Sequence, residues 1–181
     1  MGVRMTNLPV PVPAQETPGV LITSALWNAQ VFNGLTFTLN RPLFSGYQAT
    51  AQSLAATSWT SLNIDTEVVD SYNGHSTTTN PSRYMPVVPG TYLVIGTVGF
   101  AGLATGYRRI RLMLNGALIK GTGSHIGAPG DTNVVALTTA TFVACNGTTD
   151  YIEVQASAGS AVSTTANTDF TSSLRVIWIS N

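Results

Sequence analysis

The sequence predicts an all-β fold, an antiparallel sandwich or barrel, and three observations predict it. From Leu43 onward, short apolar and β-branched runs alternate with clusters of Gly, Pro, Asn and Asp. No helical pattern separates these runs, so parallel crossover units are excluded. Turn-forming pairs fall between the runs: Pro89-Gly90, Asn115-Gly116, Pro129-Gly130-Asp131 and Asn146-Gly147. With 181 residues and 44% apolar content, the chain can build one core and carry an appended arm.

Residues 1–22 read as that arm. Pro9, Pro11, Pro13 and Pro18 alternate with Leu8, Val10 and Val12. Proline at every second position suits neither a sheet ladder nor a helix interior, and extended backbone is its natural state. Residues 23–39 are the one good helix candidate. Thr23 or Ser24 can cap it, Leu26, Trp27, Val31 and Leu35 sit near one face, and Arg41-Pro42 stops it. Strands are expected near 44–50, 58–64, 84–88, 91–100, 107–114, 117–120, 134–144, 150–157 and 173–180. The Asn115-Gly116 pair marks the clearest hairpin.

Periodicity sorts these strands by exposure. In 107–114, Ile110, Leu112 and Leu114 face one way, while Arg109 and Arg111 face the other, with Arg108 opposite to them. In 150–157, Glu153, Gln155 and Ser157 oppose Ile152, Val154 and Ala156, which predicts a second half-wet strand. The runs 92–95 and 176–179 are apolar on both faces. A two-layer sandwich buries one face of each sheet, so the second face needs another cover, and a further subunit supplies one. Leu93, Ile95, Ile177 and Ile179 are the candidate contacts.

Charged residues make up only 9% of the chain, Lys+Arg and Asp+Glu are both 8, and the formal net charge is zero. Ser and Thr number 41, so hydroxyls wet the surface. Low charge favours association and argues against a nucleic-acid partner. No apolar run reaches the roughly 18 residues of a membrane span, and Met1 to Thr6 lacks the apolar stretch of a secretory signal. The single cysteine, Cys145, excludes an internal disulfide and reads as a buried apolar residue. Trp27, Trp59 and Trp178 read as core or interface anchors rather than sugar platforms.

Little in the sequence points to catalysis. Gly123-Ser124-His125-Ile126-Gly127 is not a nucleophile elbow, because Ser follows the first Gly directly. The segment 116–123 lacks the Gly-Lys-Ser/Thr step of a phosphate loop, so no cofactor is implied. Two histidines leave a metal hydrolase short of ligands. Asp65, Glu67 and Asp70, with His75 nearby, are the best candidates for chemistry. Their plain reading is a solvated edge or pairing with Arg83, and the alternative is a calcium site.

The segment Pro89-Gly90-Thr91-Tyr92-Leu93-Val94-Ile95-Gly96-Thr97-Val98-Gly99-Phe100 resembles a strand of C1q/TNF-like jelly rolls. Arg109-x-Arg111 with Asn115-Gly116 resembles the hairpin that follows it, Asp150-Tyr151-Ile152-Glu153-Val154 a later strand, and Ser172-Ser173-Leu174-Arg175-Val176 the closing strand. Thr149 stands where that family usually has Gly. In the first half, Val20 to Asn28, Asn40-Arg41-Pro42, Trp59-Thr60, Asp65-x-Glu67-x-x-Asp70 and Gly74-His75-Ser76 look like small virion proteins of tailed phages, particularly those of actinobacteria.

The resemblances imply an antiparallel jelly-roll sandwich over 43–181, with residues 1–42, the arm and one short helix, as its anchor. They imply a non-enzymatic homotrimer located in the virion, either a minor tail protein or a capsid decoration protein. Its partners would be itself, other virion proteins and a host-surface glycan, with no nucleic acid and no membrane. Leu8, Val10, Val12, Leu26 and Trp27 would attach it to the particle. The alternative is a soluble C1q-like or carbohydrate-binding recognition module outside a virion.

Overall fold

The computed structural model describes residues 8–12, 17–19, 21–166 and 168–181. Twelve strands follow one helical segment among these residues. They are β1 (Leu43–Tyr47), β2 (Ser53–Leu54), β3 (Thr60–Ser61), β4 (Thr66–Asp70), β5 (Gly90–Phe100), β6 (Arg108–Leu114), β7 (Ala117–Leu118), β8 (Ser124–Ile126), β9 (Val135–Cys145), β10 (Ile152–Ala158), β11 (Val162–Ser163) and β12 (Ser173–Ser180). One sheet has the order β4-β1-β12-β5-β9. The other runs β3-β10-β6, with β7 and β8 both paired to β6, and β11 pairs β2 in a small ladder. Every pairing between named strands is antiparallel. The chain passes from sheet to sheet at each of the steps β5 to β6, β9 to β10 and β10 to β12. This is an all-β jelly-roll sandwich, as the sequence predicts.

The core lies between the sheets. Phe44, Tyr92, Val94, Val98, Leu174 and Val176 meet Ile110, Leu112, Ile152, Val154 and Ala156, all fully buried. Period-two alternation in β5, β6 and β12 places these side chains on one face. Gly96 sits where the two sheets approach closely. A Cβ there would lie 2.9 Å from both Leu112 and Val154. The predicted hairpin forms at Asn115-Gly116, where both residues take positive φ, 53° and 75°, as a two-residue turn between right-twisted strands requires.

The helical segment is α1 (Ser24–Trp27), a π turn (Asn28–Phe32) and α2 (Asn33–Leu39). Thr23 caps it, its hydroxyl accepting from Leu26 N at 3.2 Å. Thr36 and Thr38 donate back to the carbonyls of Phe32 and Gly34, which accommodates these weak helix formers. The buried face differs from the predicted one. Leu26 and Val31 are half-buried and Trp27 and Leu35 are exposed, whereas Phe37 is buried. The π turn inserts one residue and rotates the second half of the segment relative to the first. Phe37 packs edge-on against Trp178 at 4.9 Å. It joins Tyr72 and Val88 in a second small cluster, on which Leu8, Val10 and Val87 lie.

Two expectations are corrected. Residues 84–88 form no strand. Tyr84 makes single bridges to His75 and Ile152, but Pro86 and Pro89 lack the amide protons a ladder needs. The second face of β10 is not wet either. Glu153 and Ser157 are buried there. Ser82 donates to Glu153 at 2.7 Å and Arg83 at 3.4 Å, so the loop carrying them covers the strand.

Candidate functional site

The five-stranded sheet turns one face to the core and the other outward. Strand register aligns the outward side chains in rows. Leu43 pairs with Ile177, Ile177 with Leu93, and Leu93 with Phe142. Four apolar side chains therefore cross four strands in one line. Leu93 and Ile177 are half-buried in its middle, while Phe142 is 65% exposed at the edge. In the next row Ile95 lies between Arg175 and Ala140. Ile179 is exposed at the end of β12. Of the four predicted interface residues, Leu93, Ile95 and Ile177 thus share one outward face. Sequence reasoning missed Leu43 and Phe142, whose place in the row appears only with the register.

The predicted anchoring residues divide. Leu8 and Val10 lie half-buried against the Phe37, Tyr72 and Val88 cluster. Val12 is 82% exposed and Trp27 54%. Leu26 is half-buried. A groove of about 450 Å³ runs between arm and helix, lined by residues 8–12 with Ala29, Phe32, Asn33 and Thr36.

The carboxylates of the acidic segment each hold a separate part of the chain. Asp65 accepts from the amides of Ala49 and Thr50 at 2.6 and 2.9 Å. Asp70 accepts from the amides of Gly74 and His75. Glu67 meets His75 Nδ1 at 3.0 Å, and Nε2 of the same ring meets the Pro81 carbonyl at 3.1 Å. The expected pairing with Arg83 does not form, because Arg83 reaches Glu153 instead. No group of three or more metal-ligating side chains comes together among the described residues.

Burial alone would raise the Asp65 pKa. The Ala49 and Thr50 amides, with the Thr50 and Thr66 hydroxyls, outweigh it and hold the carboxyl below its ordinary value. A depressed carboxyl contributes stability above its unfolded value, about 4, and loses it as pH falls through the lower folded value. Asp65→Asn is therefore expected to lower the melting temperature at pH 7 and to shrink the acid-induced loss. Thermal melts from pH 7 to pH 2 check this, and an unchanged acid limb would refute it.

Cys145 is buried, and burial followed by the nearby Asp150 charge pushes its thiol up to about 12, as befits an apolar core residue. Ser124 lies in β8 opposite Ile110, and His125 rests against Tyr107 at 6.0 Å.

The other sheet turns Arg109 and Arg111 outward from β6. Arg109 lies 4.0 Å over the Tyr107 ring, and Arg111 lies 4.0 Å over Trp59. Arg111 Nε donates to Gln155 Oε1 at 2.8 Å, and Gln155 in turn donates to Ser61. Arg83 stacks at 4.0 Å on Tyr151. Tyr107 is two residues from Arg109 in the chain, whereas Trp59 and Tyr151 reach Arg111 and Arg83 from distant segments. Arg108 faces inward and is fully buried.

No family model matches the chain, and no curated protein matches it in sequence. Solved structures do resemble it. Murine APRIL at pH 8.0 is 13% identical with a TM-score of 0.54, over 76% of this chain and 98% of that one. The Eiger TNF of S. frugiperda is 12% identical with a TM-score of 0.53, over 78% of this chain and 95% of that one. The chain shares the jelly-roll fold of these TNF-like proteins. At these identities the likeness shows the fold alone.

Proposed function

We propose that this chain is a non-enzymatic structural component of a tailed-phage virion. Three jelly-roll heads pack around an axis, and the arm and helix tether them to the tail or the capsid. The observation that carries this reading is the apolar row Leu43, Ile177, Leu93 and Phe142, which one chain leaves uncovered. Its solvent exposure in a lone subunit opposes solubility, and further copies of the same chain supply a cover. The helical segment supports a second contact, since Trp27, Phe32, Leu35 and Leu39 all face solvent.

Deleting residues 1–19 tests the tether. Leu8 and Val10 lose their contact with Phe37, Tyr72 and Val88, so a lowered melting temperature is expected in a chain that still folds and associates. Incorporation into particles, followed by immunogold labelling, should be lost. Normal incorporation of the truncated chain would overturn the tether.

A further inference from the structure

We propose that the outward face of the sheet containing β6 and β10 binds an acidic polysaccharide through Arg109 and Arg111. The two arginines lie two residues apart on one strand, so their Cα atoms are separated by about 6.8 Å. Each guanidinium carbon lies 4.0 Å over a ring, and Arg111 is further fixed by Gln155. Neither has a carboxylate within ion-pair distance among the described residues. The Nη groups of both have no hydrogen-bond acceptor among those residues. These are half-exposed planar donors whose positions are already set, and the planar fork matches a carboxylate in bidentate fashion. Little side-chain freedom remains to be lost on binding.

The whole chain is neutral. Of the outward positions on β6 and β10, Arg109, Arg111, Met113, Glu153, Gln155 and Ser157, only Glu153 is acidic. It is buried, and Ser82 and Arg83 already donate to it. The one acid on this face is therefore already engaged, and neither Arg109 nor Arg111 pairs with it. A sheet face offering two spaced receptors suits repeated contact by a polymer. Nucleic acid is disfavoured because the guanidiniums occupy the ring faces on which bases would stack. The proposal rests on the reading above only for orientation, since an apolar sheet turned to the axis leaves this one outward.

The test is retention of the full-length chain on immobilised alginate, a uronate polymer, against neutral dextran, with duplex DNA as competitor. The wild type should bind alginate and not dextran, with binding that weakens as salt rises. R109Q/R111Q should weaken retention by about tenfold or more. R41Q removes a charge from an exposed position off this sheet and should leave it intact. R109K/R111K keeps the charge but loses the planar fork, and should bind less well than wild type. Failure of the wild type to bind, equal loss in both neutralised variants, unchanged binding by the lysine variant, or displacement by DNA as strong as by free alginate would each overturn the proposal. Sedimentation of the same samples reads the trimer independently, so a monomer that still binds alginate overturns only the assembly.

Discussion

Leu93→Glu or Ile177→Glu is expected to release monomers or aggregates from the assembled protein. The two residues are direct register partners and occupy the centre of the apolar row that Leu43 and Phe142 complete. Each is only half-buried in one chain, so a carboxylate there still reaches water while the chain is alone. Assembly would bury it in a row of apolar side chains, with Arg175 one row away and already donating to Ser173, and a buried charge without a direct partner costs several kcal/mol. The penalty therefore falls on association more than on folding. Light scattering should report loss of the oligomer, while circular dichroism keeps the strand signal. Phe142→Ser should weaken the same contact by up to about 3 kcal/mol, the worth of burying one large apolar side chain. A stable wild-type monomer, or a glutamate variant that keeps its oligomer, would refute the interface.

The fold was legible where local chemistry and tertiary structure ask for the same thing. Asn115-Gly116 takes the two positive φ angles that the hairpin needs, and β6 alternates as a half-buried strand must. It was not legible in β2, β8 and β11, whose two or three residues carry no period. Residues 84–88 misled because their apolar content resembles a strand while their prolines forbid a ladder. The outward face of β10 read as wet because nothing local shows that the Ser82–Arg83 loop folds over Glu153. The candidate surfaces divide in the same way. Leu93 and Ile177 announce themselves by apolar runs on both strand faces. Phe142 does not, because Thr138, Ala140 and Ala144 beside it make the outward face of β9 look mixed. The stacks of Arg111 on Trp59 and Arg83 on Tyr151 join residues distant in sequence, which no spacing rule reaches.

Arg108→Met is expected to destabilise the head by about 3–5 kcal/mol. Arg108 lies on the core side of β6 with Ile110 and Leu112 and is fully buried. Its Nη1 donates to the carbonyls of Thr105, Gly106 and Tyr107 at 3.0, 2.8 and 3.1 Å. Its Nη2 donates to Leu103 at 2.8 Å, and Phe100 flanks the group at 5.9 Å. The side chain thus gathers the loop between β5 and β6 around one cation. Two effects compete. Burial penalises the guanidinium and lowers its pKa, which argues that an apolar replacement could stabilise the chain. Removing it, however, takes the donor from the half-buried Leu103 and Gly106 carbonyls, while Tyr107 keeps the Gly159 amide and Thr105 is exposed to water; each orphan costs about 1–3 kcal/mol. Methionine can fill the volume but offers no proton, so the orphaned carbonyls decide the sign. At roughly 2–4 °C per kcal/mol for a chain of this size, the melting temperature should fall by about 10 °C. Arg108→Lys keeps a cation but presents one ammonium to four carbonyls, so its loss should be smaller. The neighbouring Arg109→Gln, on the outward face, should scarcely move the melting temperature. An Arg108→Met variant as stable as wild type would mean that the loop finds its donors elsewhere and that the buried cation adds nothing to the fold.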